Sequence, residues 1–153
     1  MIGGILFGIA QLRVFKRERA DRAAIEVVRS MLSEHFPSSY CLLNHLPDGL
    51  TVAEVRKRES EYEEAIFRIS SVFEALGFMV YKGVVPLDVA HNLAGGVTVA
   101  MWRKLERYMA EMAEAEDQGR LGEWFEWLAN RLEDFEEDQP SHRASVRFKG
   151  WKG

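Results

Sequence analysis

Only four prolines interrupt 153 residues, and the apolar positions keep helical spacing for nearly the whole length. Tyr62, Ile66, Ile69, Phe73 and Leu76 recur at steps of three and four, which places them on one side of a 3.6-residue turn. Trp102, Leu105, Met109 and Met112 repeat the pattern, as do Leu121, Phe125, Leu128, Leu132 and Phe135. Such a chain is expected to be all-α: an irregular helical bundle on a long N-terminal helix with a short apolar, membrane-facing end. At 47% hydrophobic and 29% charged residues it has the composition of one globular domain with a real core.

Local signals place the element boundaries. A first helix over residues 2–33 ends before Pro37, because the position preceding a proline disfavours helical backbone. A short helix over 39–46 is closed by the turn Pro47-Asp48-Gly49. Thr51 with Glu54, and Ser60 with Glu63, match the capping box, which divides 51–76 into two helices with a joint near Glu59. Gly77 reads as a stop. Residues 78–85 are either extended or an irregular turn around Lys82-Gly83. Pro86 suits the first turn of a short helix ending near Gly95-Gly96. Another helix follows over 97–116, then a link over 117–122 and the last helix. From 138 onward the chain reads as an extended or disordered tail. The division is therefore 1–15 as an apolar membrane plug or anchor, 16–137 as the bundle and 138–153 as a basic tail.

The N-terminus points to a membrane. Ile2, Gly4, Ile5, Leu6, Phe7, Gly8, Ile9 and Leu12 form an uncharged apolar run, and Arg13, Lys16, Arg17 and Arg19 follow at once. A helix over 2–12 measures about 16 Å, against a hydrocarbon core of about 30 Å. A span by this segment alone is not expected, and anchoring is shared with cations at the lipid headgroups and with a partner. Gly4 and Gly8 make a G-x-x-x-G pair suited to close helix approach and a homo-oligomer. The positive flank places the domain on the cytoplasmic side. No cation precedes the apolar run and no A-x-A site follows it, unlike a cleaved signal peptide. A buried N-terminal helix in a soluble oligomer is the alternative.

Chemistry-bearing motifs are sparse. The net charge of −4 argues against a general nucleic-acid coat. Cys41 is the one cysteine, so no internal disulfide forms, in keeping with a reducing compartment. His35, Cys41 and His45 lack the fourth ligand and the spacing of a zinc site. Asp88 and His91 lie three apart, within reach of an acid–base pair, and read more simply as a helix cap and a histidine. No phosphate loop, dinucleotide fingerprint, nucleophile elbow or H-E-x-x-H occurs. The acidic runs 111–117 and 133–138 read as solvated faces. A winged helix-turn-helix is conceivable from Leu50–Val55, a following helix, and Leu76–Val80 with the Lys82-Gly83 turn. A recognition helix carrying Glu61, Glu63, Glu64 and Glu74 has the wrong sign for phosphate.

A likeness to a known family is carried by Phe73-Glu74-x-Leu76-Gly77, Val80, Gly83-x-Val85, Asp88, Gly95-Gly96, Trp102 and Phe125-Glu126-Trp127-Leu128. On these residues the chain from Phe73 onward resembles an uncharacterised bacterial family of small, often membrane-anchored helical proteins, known only as a domain of unknown function. It implies a membrane-anchored body at the bacterial inner membrane and brings no activity or cofactor. The reading is a membrane-associated accessory or scaffolding subunit, non-catalytic and without metal, cofactor or nucleic acid, whose partners are membrane lipid and other protein subunits. The alternatives are a winged-helix-like nucleic-acid-binding regulator and the soluble oligomer. Trp127, about 120° from the core face of the last helix, is the expected partner anchor, with Arg143, Arg147, Lys149 and Lys152 of the tail; Trp124 is expected to lean into the core.

Overall fold

The computed structural model describes residues 11, 15, 18, 22, 25, 26, 28–31, 33, 35–115, 119–138, 144 and 149–152. Every described residue from 11 to 31 is helical, and Ser33 forms a bend. Five helices follow: α1 (His35–Asn44), α2 (Val52–Arg56), α3 (Ser60–Tyr81), α4 (Leu87–Ala115) and α5 (Glu123–Asp138). No described residue lies in a strand, and the protein is an all-α bundle. Among the described residues no helix is long and apolar enough to cross a membrane. The plug residues Ile2, Gly4, Ile5, Leu6, Phe7, Gly8, Ile9 and Leu12, and the cations Arg13, Lys16, Arg17 and Arg19, lie outside the described residues.

Helix α3 is the hub, packed on α1, α4 and α5, while α4 and α5 pack on each other. Its stripe of Ile66, Ile69, Phe73 and Leu76 is fully buried, and Tyr62 lies half-buried at its start. The Phe73 ring stacks on Phe125 at 4.9 Å and meets Phe36 edge-on at 5.8 Å, so one aromatic ties α1, α3 and α5 together. Leu43, Met101, Leu105, Leu128 and Leu132 close the core around it. Each such side chain contributes about 1.5–3 kcal/mol of burial free energy.

Several boundaries differ from the sequence expectation, each for a local reason. Helix α1 begins at His35, ahead of the expected start at 39, and takes Pro37 into its first turn, where a missing N–H leaves no bond unmade. Gly77 does not stop α3, which runs to Tyr81. The stop is Gly83, in the left-handed region at φ 66°. Its N–H bonds the Val80 carbonyl at 2.9 Å and the Val84 N–H bonds that of Met79 at 2.9 Å, a Schellman closure. Gly95-Gly96 likewise ends nothing, because it lies inside α4, which is 29 residues long in all. Ala90, Ala94, Gly95, Thr98, Met101 and Leu105 bury one continuous face there, which offsets the low helix propensity of glycine. The joint near Glu59 is present.

Of the two expected capping boxes, only Thr51–Glu54 forms. The Thr51 hydroxyl accepts from the Glu54 N–H at 3.1 Å, and a Glu54 oxygen accepts from the Thr51 N–H at 2.9 Å and hydroxyl at 2.7 Å. Ser60 is already inside α3, whose cap is Glu59 with no side-chain bond. Hydrogen bonds from the Thr51 side chain and backbone hold the Glu54 carboxyl below its ordinary value of 4.5. A pKa depressed by folding stabilises the folded state above the ordinary carboxylate range, and this contribution disappears as pH falls through the depressed value. Denaturant midpoints should therefore fall more steeply on acidification in the intact protein than in Thr51→Ala. Equal slopes for the two would show that the pair is not formed in solution.

Candidate functional site

The start of α5 is seated on α3 by two features of α3 itself. Gly77 faces the Trp124 backbone so closely that a Cβ there would lie 2.8 Å from the Trp124 carbonyl carbon. One turn earlier, the Glu74 carboxylate accepts the Trp124 N–H at 3.2 Å and the Phe125 N–H at 2.9 Å. Gly122, which precedes α5 at φ 78°, has no side chain to cap the helix. Glu74 supplies from another helix what an N-cap residue would supply locally, and its negative charge sits where the helix dipole favours it.

This docking brings four rings together at the surface. Tyr81 lies 4.6 Å from Trp124 and 6.0 Å from Trp127 between centroids. Phe78 meets Trp124 edge-on at 5.5 Å, and the two tryptophans are 6.2 Å apart. Phe78 is 45% exposed and Tyr81 57%; both tryptophans are half-buried. The Lys82 ammonium lies 5.9 Å from the Phe78 ring, within cation–π range. The result is a connected aromatic surface on a rigid pair of helices.

The surroundings of the two tryptophans differ from those expected. Trp127 packs against the buried core and meets Tyr81 edge-on, while Trp124 contacts Phe78 and Tyr81. The expectation placed the end of α3 at Gly77; the extra turn carries Phe78 and Tyr81 up beside α5 and partly covers both rings. Lys149 and Lys152 are exposed, whereas Arg143 and Arg147 lie outside the described residues.

The remaining chemistry-bearing residues do not converge. His91 points to α5 and not to Asp88: its Nε2 is 3.5 Å from Glu136, and its ring lies 5.1 Å from that of Phe135. The Asp88 carbonyl accepts from the Asn92 side chain at 2.6 Å. His35, Cys41 and His45 are exposed, and among the described residues no three His, Cys, Asp or Glu side chains gather as a metal site. The acidic runs are not merely solvated. Glu111 accepts the Val52 N–H at 2.8 Å, and Glu133 pairs with Arg103 at 2.6 Å across α4 and α5. The segment read as a wing, 76–80, is helical, and Lys82-Gly83 closes that helix.

Glu74, Phe78 and Tyr81 were not singled out from sequence as surface-forming residues. Phe67, Glu74, Phe78 and Tyr81 recur at steps of seven, four and three, a second stripe that α3 carries beside its core stripe. A family described as a domain of unknown function (DUF4760) matches over residues 1–132. No curated protein and no solved structure matches.

Proposed function

We propose that this chain, which belongs to that family of unknown function, is a membrane-associated, non-catalytic accessory subunit that works by holding another protein against its aromatic surface. The observation that carries the reading is the cluster of Phe78, Tyr81, Trp124 and Trp127, left open at the surface of a well-packed bundle. Aromatic side chains bury large areas at low entropic cost and dominate the energetics of protein interfaces. The apolar start of the chain and the adjacent cations support the membrane part of the reading, since either alone is marginal for anchoring.

Two measurements test it. Cells expressing the intact chain, a chain lacking residues 1–12, and one with Arg13, Lys16, Arg17 and Arg19 changed to Gln are fractionated. The intact chain should sediment with membranes and both variants should be released. A truncated chain that stays bound removes the anchor from the reading. In the second, Tyr81→Ser should leave the melting temperature within about 2 °C, because the ring is mostly exposed. It should reduce cross-linking to the partner about tenfold or more. Unchanged cross-linking in Tyr81→Ser and Phe78→Ser would dismiss the aromatic surface as the contact.

A further inference from the structure

The helical stretch ahead of α1 stands clear of the bundle. All of its described residues from 11 to 26 are exposed, with Phe15 at 64% and Ile25 at 57%. Burial begins only at Val28, Ser30 and Met31, and Met31 packs against the core. As one helix, residues 11–31 form a stalk about 30 Å long. At 100° per residue, Gln11, Phe15, Glu18, Arg22, Ile25 and Arg29 fall within about 80° of arc. All six are exposed. The stalk therefore carries one open stripe, with an apolar residue towards each end and an acid and a base between them. Among the described residues Glu18 and Arg22 have no ion-pair partner, whereas Arg29 is held by Glu26 at 2.8 Å.

The order of these residues is self-complementary. Turned end for end about Ala20, the stripe sets Phe15 against Ile25 and Glu18 against Arg22, each twice, as an isologous contact requires. A parallel pair sets Glu18 against Glu18 and Arg22 against Arg22, and facing like charges select against it. By sequence, the antiparallel register also puts Arg19 opposite Asp21. It puts Arg13, Lys16 and Arg17 opposite residues 23–27, which carry Glu26 and no cation. The two basic starts are then about 15 Å apart along the pair, beyond the screening length of about 8 Å at physiological salt. In a parallel pair they would lie side by side.

We infer that the stalk is a docking face for a second copy of this chain, paired antiparallel about Ala20 through Phe15, Glu18, Arg22 and Ile25. The contact uses no residue of the aromatic surface, which lies on α3 and α5. The two apolar starts leave at opposite ends, so a membrane-bound pair lies along the lipid surface. This differs from pairing through Gly4 and Gly8, which brings two starts together.

The test uses the full chain in dodecyl maltoside, with Cys41→Ser to remove the exposed native thiol. Chains carrying Gln11→Cys and Arg29→Cys, distinguished by a tag, are mixed and oxidised. Arg29→Cys gives up only an exposed pair with Glu26, which contributes little. Position 11 should cross-link to 29 at least tenfold more than 11 to 11 or 29 to 29, because only that pair meets in the antiparallel register. Glu18→Arg or Arg22→Glu alone should cut the 11–29 product about tenfold. Both changes in every chain should restore it to within twofold, which a parallel pair could not do. The stalk stands clear of the core, so the melting temperature of the bundle should stay within about 2 °C in each variant. A dominant 11–11 product, or equal yields of the three, would overturn the antiparallel face. So would single charge changes that leave the 11–29 yield unaltered, or a double change that restores nothing.

Discussion

Gly77→Ala is expected to lower the melting temperature by about 10 °C, whereas Gly96→Ala, a glycine-to-alanine change within another helix, raises it by about 3 °C. Both residues sit inside helices, where alanine is intrinsically favoured by about 1 kcal/mol. At Gly96 nothing lies within 4 Å of the added methyl, so that preference is realised in full. At Gly77 the methyl meets the Trp124 carbonyl group, with the carbon at 2.8 Å and the oxygen closer still. Backbone cannot rotate away as a flexible side chain can. The helices must separate, and overpacking of this kind typically costs about 1–3 kcal/mol. We take about 3 kcal/mol net, because separating α3 from α5 also loosens the Phe73–Phe125 stack. For a domain of this size 1 kcal/mol shifts the melting temperature by about 2–4 °C. Differential scanning calorimetry of the two variants decides the matter. A stable Gly77→Ala protein would mean that α5 does not dock where the structure has it.

That contrast explains how much of the fold was legible in the sequence. The stripe of Ile66, Ile69, Phe73 and Leu76 revealed the buried face of α3, because burial imposes the helical period directly on residue type. The Thr51–Glu54 box was equally visible, since both partners lie within three residues of each other. Gly77 and Gly95 were misread because a glycine has two uses that look alike in a sequence. It can end a helix through a left-handed conformation, as Gly83 does at φ 66°, or it can admit a neighbouring group within a helix. Only the position of Trp124, 47 residues away in sequence, separates the two uses at Gly77.

The candidate surface was half legible for the same reason. Trp127 stood out by its angle on α5, but its surroundings depend on Tyr81, which the early stop at Gly77 had removed from the helix. One misplaced boundary therefore hid Phe78 and Tyr81 together, the two rings that partly cover Trp124 and Trp127. The groove lined by Ile66, Phe67, Ser70, Met109 and Met112 between α3 and α4 was not legible at all. Ser70 looks like any small helical residue until tertiary packing buries its hydroxyl, which has no hydrogen-bond partner among the described residues.

Glu74→Ala is expected to be as damaging as the glycine change, and through a different route. The carboxylate satisfies the Trp124 and Phe125 N–H groups at 3.2 and 2.9 Å, and no side chain at Gly122 can replace it. Two donors at the start of α5 then lose their acceptor. Hydrogen bonds to a charged acceptor are worth about 1.5–3 kcal/mol each. Water reaches this half-buried site in part, so the total should fall near 3 kcal/mol. Glu74→Gln keeps an acceptor oxygen and loses the charge at the helix terminus, and should cost about 1 kcal/mol. Chemical denaturation measures both. Hydrogen exchange supplies the finer reading: in Glu74→Ala, amides from 124 to 127 should exchange much faster, while those in the second half of α5 keep their protection. The two tryptophans ride on that first turn, so their fluorescence anisotropy should fall with it. A Glu74→Ala protein within about 0.5 kcal/mol of the parent, with unaltered exchange at Trp124 and Phe125, would show that α5 is held by its core contacts alone. The aromatic surface would then owe nothing to the acidic side chain beneath it.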